Sequence, residues 1–191
     1  MVWPHLNLDK GYSLNIFLNK KILIYGLGKS GLSAFYFLKN KSNIFLYDDY
    51  QSKTQSSKIK KNLISYKDIF KFKFDQIILS PGIDLNKCKL SKFLKKNHNK
   101  IHSDLDVFYS FYNNDCITIT GTNGKSTTCQ LMYEVLLNQK FDVKLAGNIG
   151  NPILSVKNVK KKTIFVIEAS SYQLEYSKIF RSKYAVILNL S

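Results

Sequence analysis

The stretch CITITGTNGKSTTCQLMYEVLLN, residues 116–138, decides the fold of the second half of this chain. Its β-branched start predicts a strand over Cys116–Thr120, and residues 126–138 are typical of a helix. A glycine-containing turn joins the two. A glycine turn between a strand and a helix is the arrangement of a phosphate-binding loop, so we predict a nucleotide site here rather than a chance glycine turn.

The turn supplies the groups that bind a nucleoside triphosphate. Gly121 and Gly124 allow successive backbone N–H groups to point inward and form an anion nest. Lys125 supplies a point charge for the β- and γ-phosphates, and the hydroxyl of Ser126 is placed to hold Mg²⁺. Counted from Gly121, the loop is one residue shorter than the general G-x-x-x-x-G-K-[ST] pattern, which argues against a generic ATPase. The predicted ATP-binding residues are Gly121, Thr122, Asn123, Gly124, Lys125, Ser126 and Thr127.

A magnesium site needs a second anchor, and Glu168 is the candidate. It ends the apolar run TIFVI at residues 163–167. In enzymes with such loops, a carboxylate at the end of a neighbouring strand completes the metal site. A carboxylate that only caps a helix is the alternative. We predict that Ser126 and Glu168 hold the metal, and that Lys125 and Glu168 serve catalysis.

A first glycine loop, GLGKSG at residues 26–31, precedes this one. It follows the predicted strand Lys21–Tyr25 and opens a predicted helix over residues 30–39. Asp48 stands directly after the next predicted strand, Asn43–Tyr47. Taken alone, this is the fingerprint of a dinucleotide site, and an NAD-dependent oxidoreductase would be the default interpretation. A turn needed only for packing is the alternative, and the loop itself would accept any nucleotide diphosphate.

Short apolar runs alternate with amphipathic segments along the whole chain, which predicts βαβ units and a mainly parallel sheet. Further strands are predicted near residue 101 and over residues 75–79, 141–146, 163–168 and 184–188, and a further helix over residues 90–96. The predicted fold class is α/β, with a Rossmann-like N-terminal domain followed by the first part of a P-loop ATPase-like domain. The predicted division is an N-terminal extension at residues 1–20, a Rossmann-like domain at 21–112 and a partial ATP-binding domain at 113–191.

Composition limits the remaining classes of function. The 191 residues carry a net charge of +16, yet among the 29 basic residues only Arg181 is arginine. Nucleic-acid interfaces favour arginine for its planar fork, so we predict a solvated lysine surface and no nucleic-acid partner. The three cysteines have no metal or disulfide spacing, as expected in a reducing cytoplasm. Residues 1–20 do not resemble a signal peptide, and no apolar run is long enough for membrane insertion.

Three motifs together resemble the Mur ligase family: GTNGKST at residues 121–127, GNIGNP at 147–152 and EASSYQLE at 168–175. The shortened phosphate loop is that family's own variant. The motifs GLGKSG, SPGI at residues 80–83 and SDLDVF at 103–108 are similar to the branch that adds D-glutamate. The resemblance covers the chain after about residue 20.

The resemblance implies an ATP-dependent ligase with Mg²⁺ as cofactor, acting in peptidoglycan precursor synthesis. It would join D-glutamate to UDP-N-acetylmuramoyl-L-alanine through an acyl phosphate and be monomeric when complete. Lys29, Ser30, Asp48 and Ser80 would then line a UDP pocket, and Asn148, Ser170 and Gln173 would face the muramoyl part. The family often has a threonine-arginine pair after the acidic residue, where this sequence has Asp49 and Tyr50. The uridine contacts at these two positions are therefore open.

The family's later elements would follow Ser191: an aspartate-histidine motif, a carbamylated lysine and a third domain. We therefore expect that this chain alone does not complete the reaction. Two alternatives stay open. One is the NAD-dependent oxidoreductase that rests on residues 26–31, and the other is a degenerate nucleotide-binding module.

Overall fold

The computed structural model describes residues 15–50 and 57–190. Residues 1–14 of the predicted N-terminal extension lie outside this range. The first half contains β1 (Lys21–Tyr25), α1 (Lys29–Leu38), β2 (Asn43–Tyr47), α2 (Ser57–Lys60), α3 (Tyr66–Ile69), β3 (Gln76–Leu79), α4 (Ser91–Lys96), β4 (Ile101–His102) and α5 (Asp104–Phe111). The second contains β5 (Cys116–Thr120), α6 (Lys125–Asn138), β6 (Val143–Gly147), β7 (Ile164–Glu168), α7 (Ser171–Tyr176) and β8 (Tyr184–Ile187). Short 3₁₀ turns form at His98–Lys100 and Ile153–Ser155.

The first half forms a parallel sheet of four strands in the order β2-β1-β3-β4. The central strand β1 pairs with β2 on one side and with β3 on the other. Four of its five residues are buried, as its continuous apolar sequence KILIY predicts for a strand covered on both faces.

The second half forms another parallel sheet of four strands, in the order β6-β7-β5-β8. Here β5 lies between β7 and β8. The carboxyl ends of parallel strands share one edge of the sheet, so the phosphate loop after β5 lies beside the residue that ends β7. The two parallel-sheet α/β regions confirm the predicted fold class.

Helix α5 ends just before the predicted division between residues 112 and 113. The Ser103 hydroxyl caps it by accepting from the Leu105 amide at 3.2 Å. Its Phe108 ring packs edge-on against Phe165 of β7, with ring centroids 4.8 Å apart. Phe108 belongs to a core cluster that also contains residues of β1, so this helix joins the two sheets. The predicted division between residues 112 and 113 stays a prediction.

Every predicted strand forms, with bounds shifted by at most two residues. Such shifts at element ends are ordinary. The sequence patterns did not predict α3, α5 or α7, which are short helices with little room for helical periodicity. No helix within residues 15–50 and 57–190 is both long and apolar enough to cross a membrane.

Candidate functional site

The second glycine loop has the conformation of an anion cradle. Gly121 and Gly124 have φ angles of 146° and 81°, in the region that only glycine adopts easily. Lys125 opens α6, and its Nζ donates to the carbonyls of Gly121 at 2.7 Å and Thr122 at 2.9 Å. The ammonium group is thus held over the loop, where a nucleotide's phosphates would lie.

Asn189, which follows β8, also contacts this loop. Its Oδ1 accepts from the backbone N–H groups of Thr122 at 3.1 Å and Asn123 at 2.9 Å. Its Nδ2 donates to the Asn123 carbonyl at 3.1 Å. Sequence reasoning missed Asn189, because nothing in its own stretch indicates a neighbour 66 residues away.

Ser126 and Glu168 meet at the end of the loop. The Ser126 Oγ donates to Glu168 Oε2 at 2.7 Å, and Glu168 is only 5% exposed. The contact arises because Ile119 of β5 is in register with Glu168 of β7. Two oxygen atoms this close could both bind one small divalent cation, since Mg²⁺ prefers oxygen ligands. Within the described residues, no cluster of three His, Cys, Asp or Glu side chains offers another metal centre.

The first glycine loop is held by its neighbours. The Leu27 amide donates to Asp48 Oδ2 at 2.6 Å, and the Tyr50 amide donates to Asp48 Oδ1 at 2.8 Å. Ser80, which is buried, donates from Oγ to the Gly26 carbonyl at 2.6 Å. Asp48 and Ser80 therefore shape the loop through hydrogen bonds to its backbone.

A cleft of about 490 Å³ opens above this loop. Five of the predicted substrate-binding residues line it: Lys29, Ser30, Asp48, Ser80 and Asn148. Asn148 comes from the second half of the chain, just after β6, and its backbone N–H donates to the Glu168 carbonyl at 3.0 Å. The cleft thus extends from the first glycine loop to Asn148, the residue that follows β6.

Asp49 and Tyr50 stand where the family pattern differs. Asp49 Oδ2 accepts from the Tyr25 hydroxyl at 2.7 Å and from the Lys89 amide at 3.2 Å. Burial, followed by the hydrogen bond to Asp49, raises the pKa of Tyr25 far above its ordinary value. The Tyr50 side chain is 88% exposed at the mouth of the cleft. The sequence could not show that Asp49 is tied to a tyrosine of β1.

Ser170 and Gln173 lie at the start of α7 and form a capping box. The backbone N–H of Gln173 donates to Ser170 Oγ at 3.2 Å, and the backbone N–H of Ser170 donates to Gln173 Oε1 at 3.0 Å. Gln173 is 1% exposed, and its Nε2 donates to Asp104 Oδ1 at 2.9 Å. Gln173 is thus observed as an internal bridge between α7 and α5. A direct contact of Ser170 or Gln173 with a substrate stays a prediction.

A buried carboxylate that the sequence did not single out lies nearby. Asp106 is fully buried and accepts from the backbone N–H groups of Lys178, Ile179 and Phe180 at 2.8–3.0 Å. Its Oδ2 also lies 2.7 Å from His102 Nδ1. Asp106 belongs to the motif SDLDVF, but only the folded chain shows that its carboxylate binds the segment after α7.

Comparison with known proteins identifies two family domains in the chain. The Mur ligase middle-domain model matches residues 119–191, and the MurD-like N-terminal-domain model matches residues 20–102. The UDP-N-acetylmuramoylalanine--D-glutamate ligase of Rickettsia bellii is 37% identical over 182 residues. That of Rickettsia prowazekii is 38% identical over the same length. Both alignments cover 93% of this chain and 40% of the relative, so the chain spans about two fifths of the length of these curated relatives.

Solved structures share the fold. The UDP-N-acetylmuramate:L-alanyl-gamma-D-glutamyl-meso-diaminopimelate ligase of Neisseria meningitides has a TM-score of 0.53 and 18% identity, covering 90% of this chain and 61% of that one. The UDP-N-acetylmuramate-alanine ligase MurC of Thermotoga maritima has a TM-score of 0.50 and 17% identity, covering 90% and 41%. At these identities the likeness concerns the fold alone.

Proposed function

The chain belongs to the Mur ligase family, and on that premise we propose that it carries the sugar-nucleotide and ATP sites of a D-glutamate-adding ligase. The proposed reaction joins D-glutamate to UDP-N-acetylmuramoyl-L-alanine, with ATP as phosphoryl donor. The relatives that bear this name are matched over 40% of their length, so the activity of a whole protein is part of the proposal.

The observation that carries the proposal is the 2.7 Å contact between Ser126 Oγ and Glu168 Oε2 beside the phosphate loop. The donor set fits magnesium, because both groups offer oxygen and one of them is a carboxylate. When bound, Mg²⁺ would neutralise charge on the phosphoryl oxygens. Because Mg²⁺ keeps several water ligands and shares phosphate oxygens, two protein oxygens suffice.

Lys125 would act on the same phosphates. Its ammonium is held by the carbonyls of Gly121 and Thr122, so it has a fixed place above the loop. A carboxylate is a poor acyl donor because oxide is a poor leaving group. Transfer of the γ-phosphate to the L-alanine carboxylate would release ADP and give an acyl phosphate. The D-glutamate amine would then attack its carbonyl carbon, and the amide would form as the C–O bond breaks and phosphate and a proton leave. In this scheme Lys125 stabilises the negative charge that develops on the transferred group.

The first cleft would hold UDP rather than NAD. In a dinucleotide site, the acidic residue after the second strand accepts from the ribose hydroxyl. Here both Asp48 oxygens already accept backbone N–H groups, from Leu27 and Tyr50. Asn148 brings the second half of the chain to the same cleft, so a sugar-nucleotide bound there would extend toward Glu168. An oxidoreductase would have no use for this second site.

Ligand protection tests the proposal, since a ligand that binds only the native state raises its stability. Thermal unfolding of the chain would be followed with UDP-N-acetylmuramoyl-L-alanine, with ATP and Mg²⁺, and with NAD. We expect the midpoint to rise with the first two additions and to stay unchanged with NAD. Protection by NAD alone would favour the oxidoreductase, and protection by neither sugar-nucleotide nor ATP would contradict the proposal.

A further inference from the structure

Asp104 lies buried between the two candidate sites. It is the first residue of α5 and is 3% exposed. Its carboxylate accepts from Gln173 Nε2 of α7 at 2.9 Å and also interacts with the Ser30 side chain of α1. Helices α1, α5 and α7 thus meet at the Asp104 carboxyl group. Burying this group costs free energy unless it is hydrogen-bonded, so the contacts with Gln173 and Ser30 stabilise the meeting point.

The Ser30 side of this contact reaches the first cleft. Ser30 is the second residue of α1, immediately after the first glycine loop, and it lines the cleft beside Lys29. A ligand whose anionic group binds at the start of α1 would fix this turn. The Ser30 side chain would then be held in the position from which it hydrogen-bonds to Asp104.

The Gln173 side reaches the second site. The amide oxygen of Gln173 accepts from the Ser170 N–H at 3.0 Å, and the Ser170 hydroxyl caps α7. Ser170 follows Glu168 by two residues, and Ala169 between them donates its N–H to Ile119 of β5 at 3.1 Å. Gln173 is therefore linked through Ser170 and Ala169 to the residue that carries the metal-site carboxylate.

Other contacts already hold the same elements together. Ser103 Oγ lies 2.6 Å from Ser177 Oγ, and Asp106 accepts three backbone N–H groups from residues 178–180. The joint between α5 and the end of α7 thus has its own attachments. Asp104 is the acid in this motif whose side chain also contacts a residue that lines the first cleft.

We propose that Asp104 is a positioning residue that couples the sugar-nucleotide site to the ATP site, through Ser30 on one side and Gln173 on the other. The inference rests on the proposed function, because it takes both ligands from there. Occupation of one site would then strengthen binding at the other, and the coupling must be reciprocal.

The test measures coupling between ligands. The dissociation constant of a non-hydrolysable ATP analogue with Mg²⁺ is determined by calorimetry, with and without saturating UDP-N-acetylmuramoyl-L-alanine. In the unaltered chain we expect the sugar-nucleotide to tighten analogue binding by about fivefold or more, in the usual range for coupled sites. In Asp104→Leu and in Gln173→Met we expect the ratio of the two constants to fall to about one, because neither variant retains the bridge.

Two variants serve as controls. Asp104→Asn keeps an oxygen that can accept from Gln173 and should retain the coupling. Ser177→Ala removes a hydroxyl that contacts Ser103 Oγ and the Gln173 backbone carbonyl. It leaves in place the contacts of Asp104 with Ser30 and with Gln173 Nε2, so it should also retain the coupling. Gln173→Met keeps the test decisive if Asp104→Leu does not fold.

The outcomes separate the two proposals. Failure of the unaltered chain to bind either nucleotide would overturn the proposed function, and this inference with it. Binding of both nucleotides with a ratio near one in the unaltered chain would overturn the inference alone. Coupling that persists in Asp104→Leu and Gln173→Met, or that is lost equally in Ser177→Ala, would also overturn it.

Discussion

The Ser126 hydroxyl donates to the Glu168 carboxylate across 2.7 Å, although 42 residues separate the two along the chain. The contact depends on the parallel pairing of β5 and β7, because their carboxyl ends lie at the same edge of the sheet and place the loop after β5, which leads to Ser126, beside Glu168. A hydroxyl and a carboxylate at this distance hold each other in place before any cation binds. Such preorganisation reduces the reorganisation that a metal site needs.

Replacing Glu168 by glutamine should remove the dependence of ATP binding on magnesium. The substitution keeps the size of the side chain and removes its charge. We expect binding of a non-hydrolysable ATP analogue with Mg²⁺ to weaken about tenfold or more, because a contact to a charged group contributes about 1.5–3 kcal/mol. Calorimetry with and without Mg²⁺ measures this. Glu134→Gln makes the same chemical change at an exposed position of α6 and should leave binding unchanged.

Replacing Lys125 by methionine should weaken binding of the ATP analogue by about tenfold or more, because the phosphates lose a fixed positive charge. Binding of UDP-N-acetylmuramoyl-L-alanine should stay the same, since Lys125 does not line the first cleft. Calorimetry with each ligand tests both parts. Lys162→Met, an exposed lysine before β7, controls for the change in net charge. Equal effects of the two variants would contradict a specific role for Lys125. In a complete enzyme, Lys125→Ala should abolish ATP-dependent turnover.

Replacing Gly31 by alanine should destabilise the fold by about 3 kcal/mol, at the upper end for inserting a methyl group into a packed site. A Cβ at Gly31 would lie 1.9 Å from the Gly26 carbonyl oxygen, which is backbone and cannot turn aside. Urea unfolding measures the loss. Gly28→Ala is the matched control, because a Cβ there meets nothing within 4 Å and should leave stability nearly unchanged. Similar losses in both variants would refute the close approach.

The stability of the chain should depend on pH through Asp104. Burial raises the pKa of the Asp104 carboxyl above its ordinary value of 3.8, while hydrogen bonds from Gln173 and Ser30 lower it. The folded state therefore holds this proton at pH values where the unfolded chain has released it. The contribution to stability is complete below 3.8 and is lost as the pH rises through the folded-state pKa.

Asp104→Asn removes this titration and tests it. We expect the free energy of unfolding of the variant, relative to the unaltered chain, to increase as the pH rises from about 4 toward neutrality. Urea unfolding at a series of pH values measures the difference. A difference that does not change with pH would show that Asp104 has the same pKa in both states.

Of the three cysteines, Cys88 should be the one that reacts with a thiol reagent in the native chain. Burial raises the pKa of Cys116 to about 12, aided by the Asp115 charge, and raises that of Cys129 to about 12, aided by Glu168. The thiolate is the reactive form, so both stay inert near pH 8. Cys88 is half-buried and lines the first cleft, so UDP-N-acetylmuramoyl-L-alanine should slow its reaction. Absorbance during labelling counts the reacting thiols, and rapid labelling of Cys129 would contradict the packing of α6.

Much of this architecture was predictable because local patterns carry it. The strands follow continuous apolar runs such as KILIY, and the two glycine loops follow from the positions of their glycines between a strand and a helix. The pairing of Glu168 with the phosphate loop was also predictable, since β7 ends at that residue. The roles of Asp104 and Asp106 in joining helices were not. Asp104 accepts from Gln173, 69 residues away, and Asp106 accepts from three backbone N–H groups 72–74 residues away, so no local pattern encodes these contacts.

The sequence alone determined the family, the alternation of strands and helices, and the chemical types at both loops, because these depend on short-range patterns of apolar, glycine and charged residues. Only the tertiary structure decided that Asp48 uses its oxygens on the backbone, that Asp49 binds Tyr25, and that Gln173 turns inward to Asp104. Each of these polar groups has several possible partners in an extended chain. When the two sheets pack around α5, only a few partners remain within hydrogen-bond distance of each polar group. A buried polar group must be paired, so it binds one of these partners.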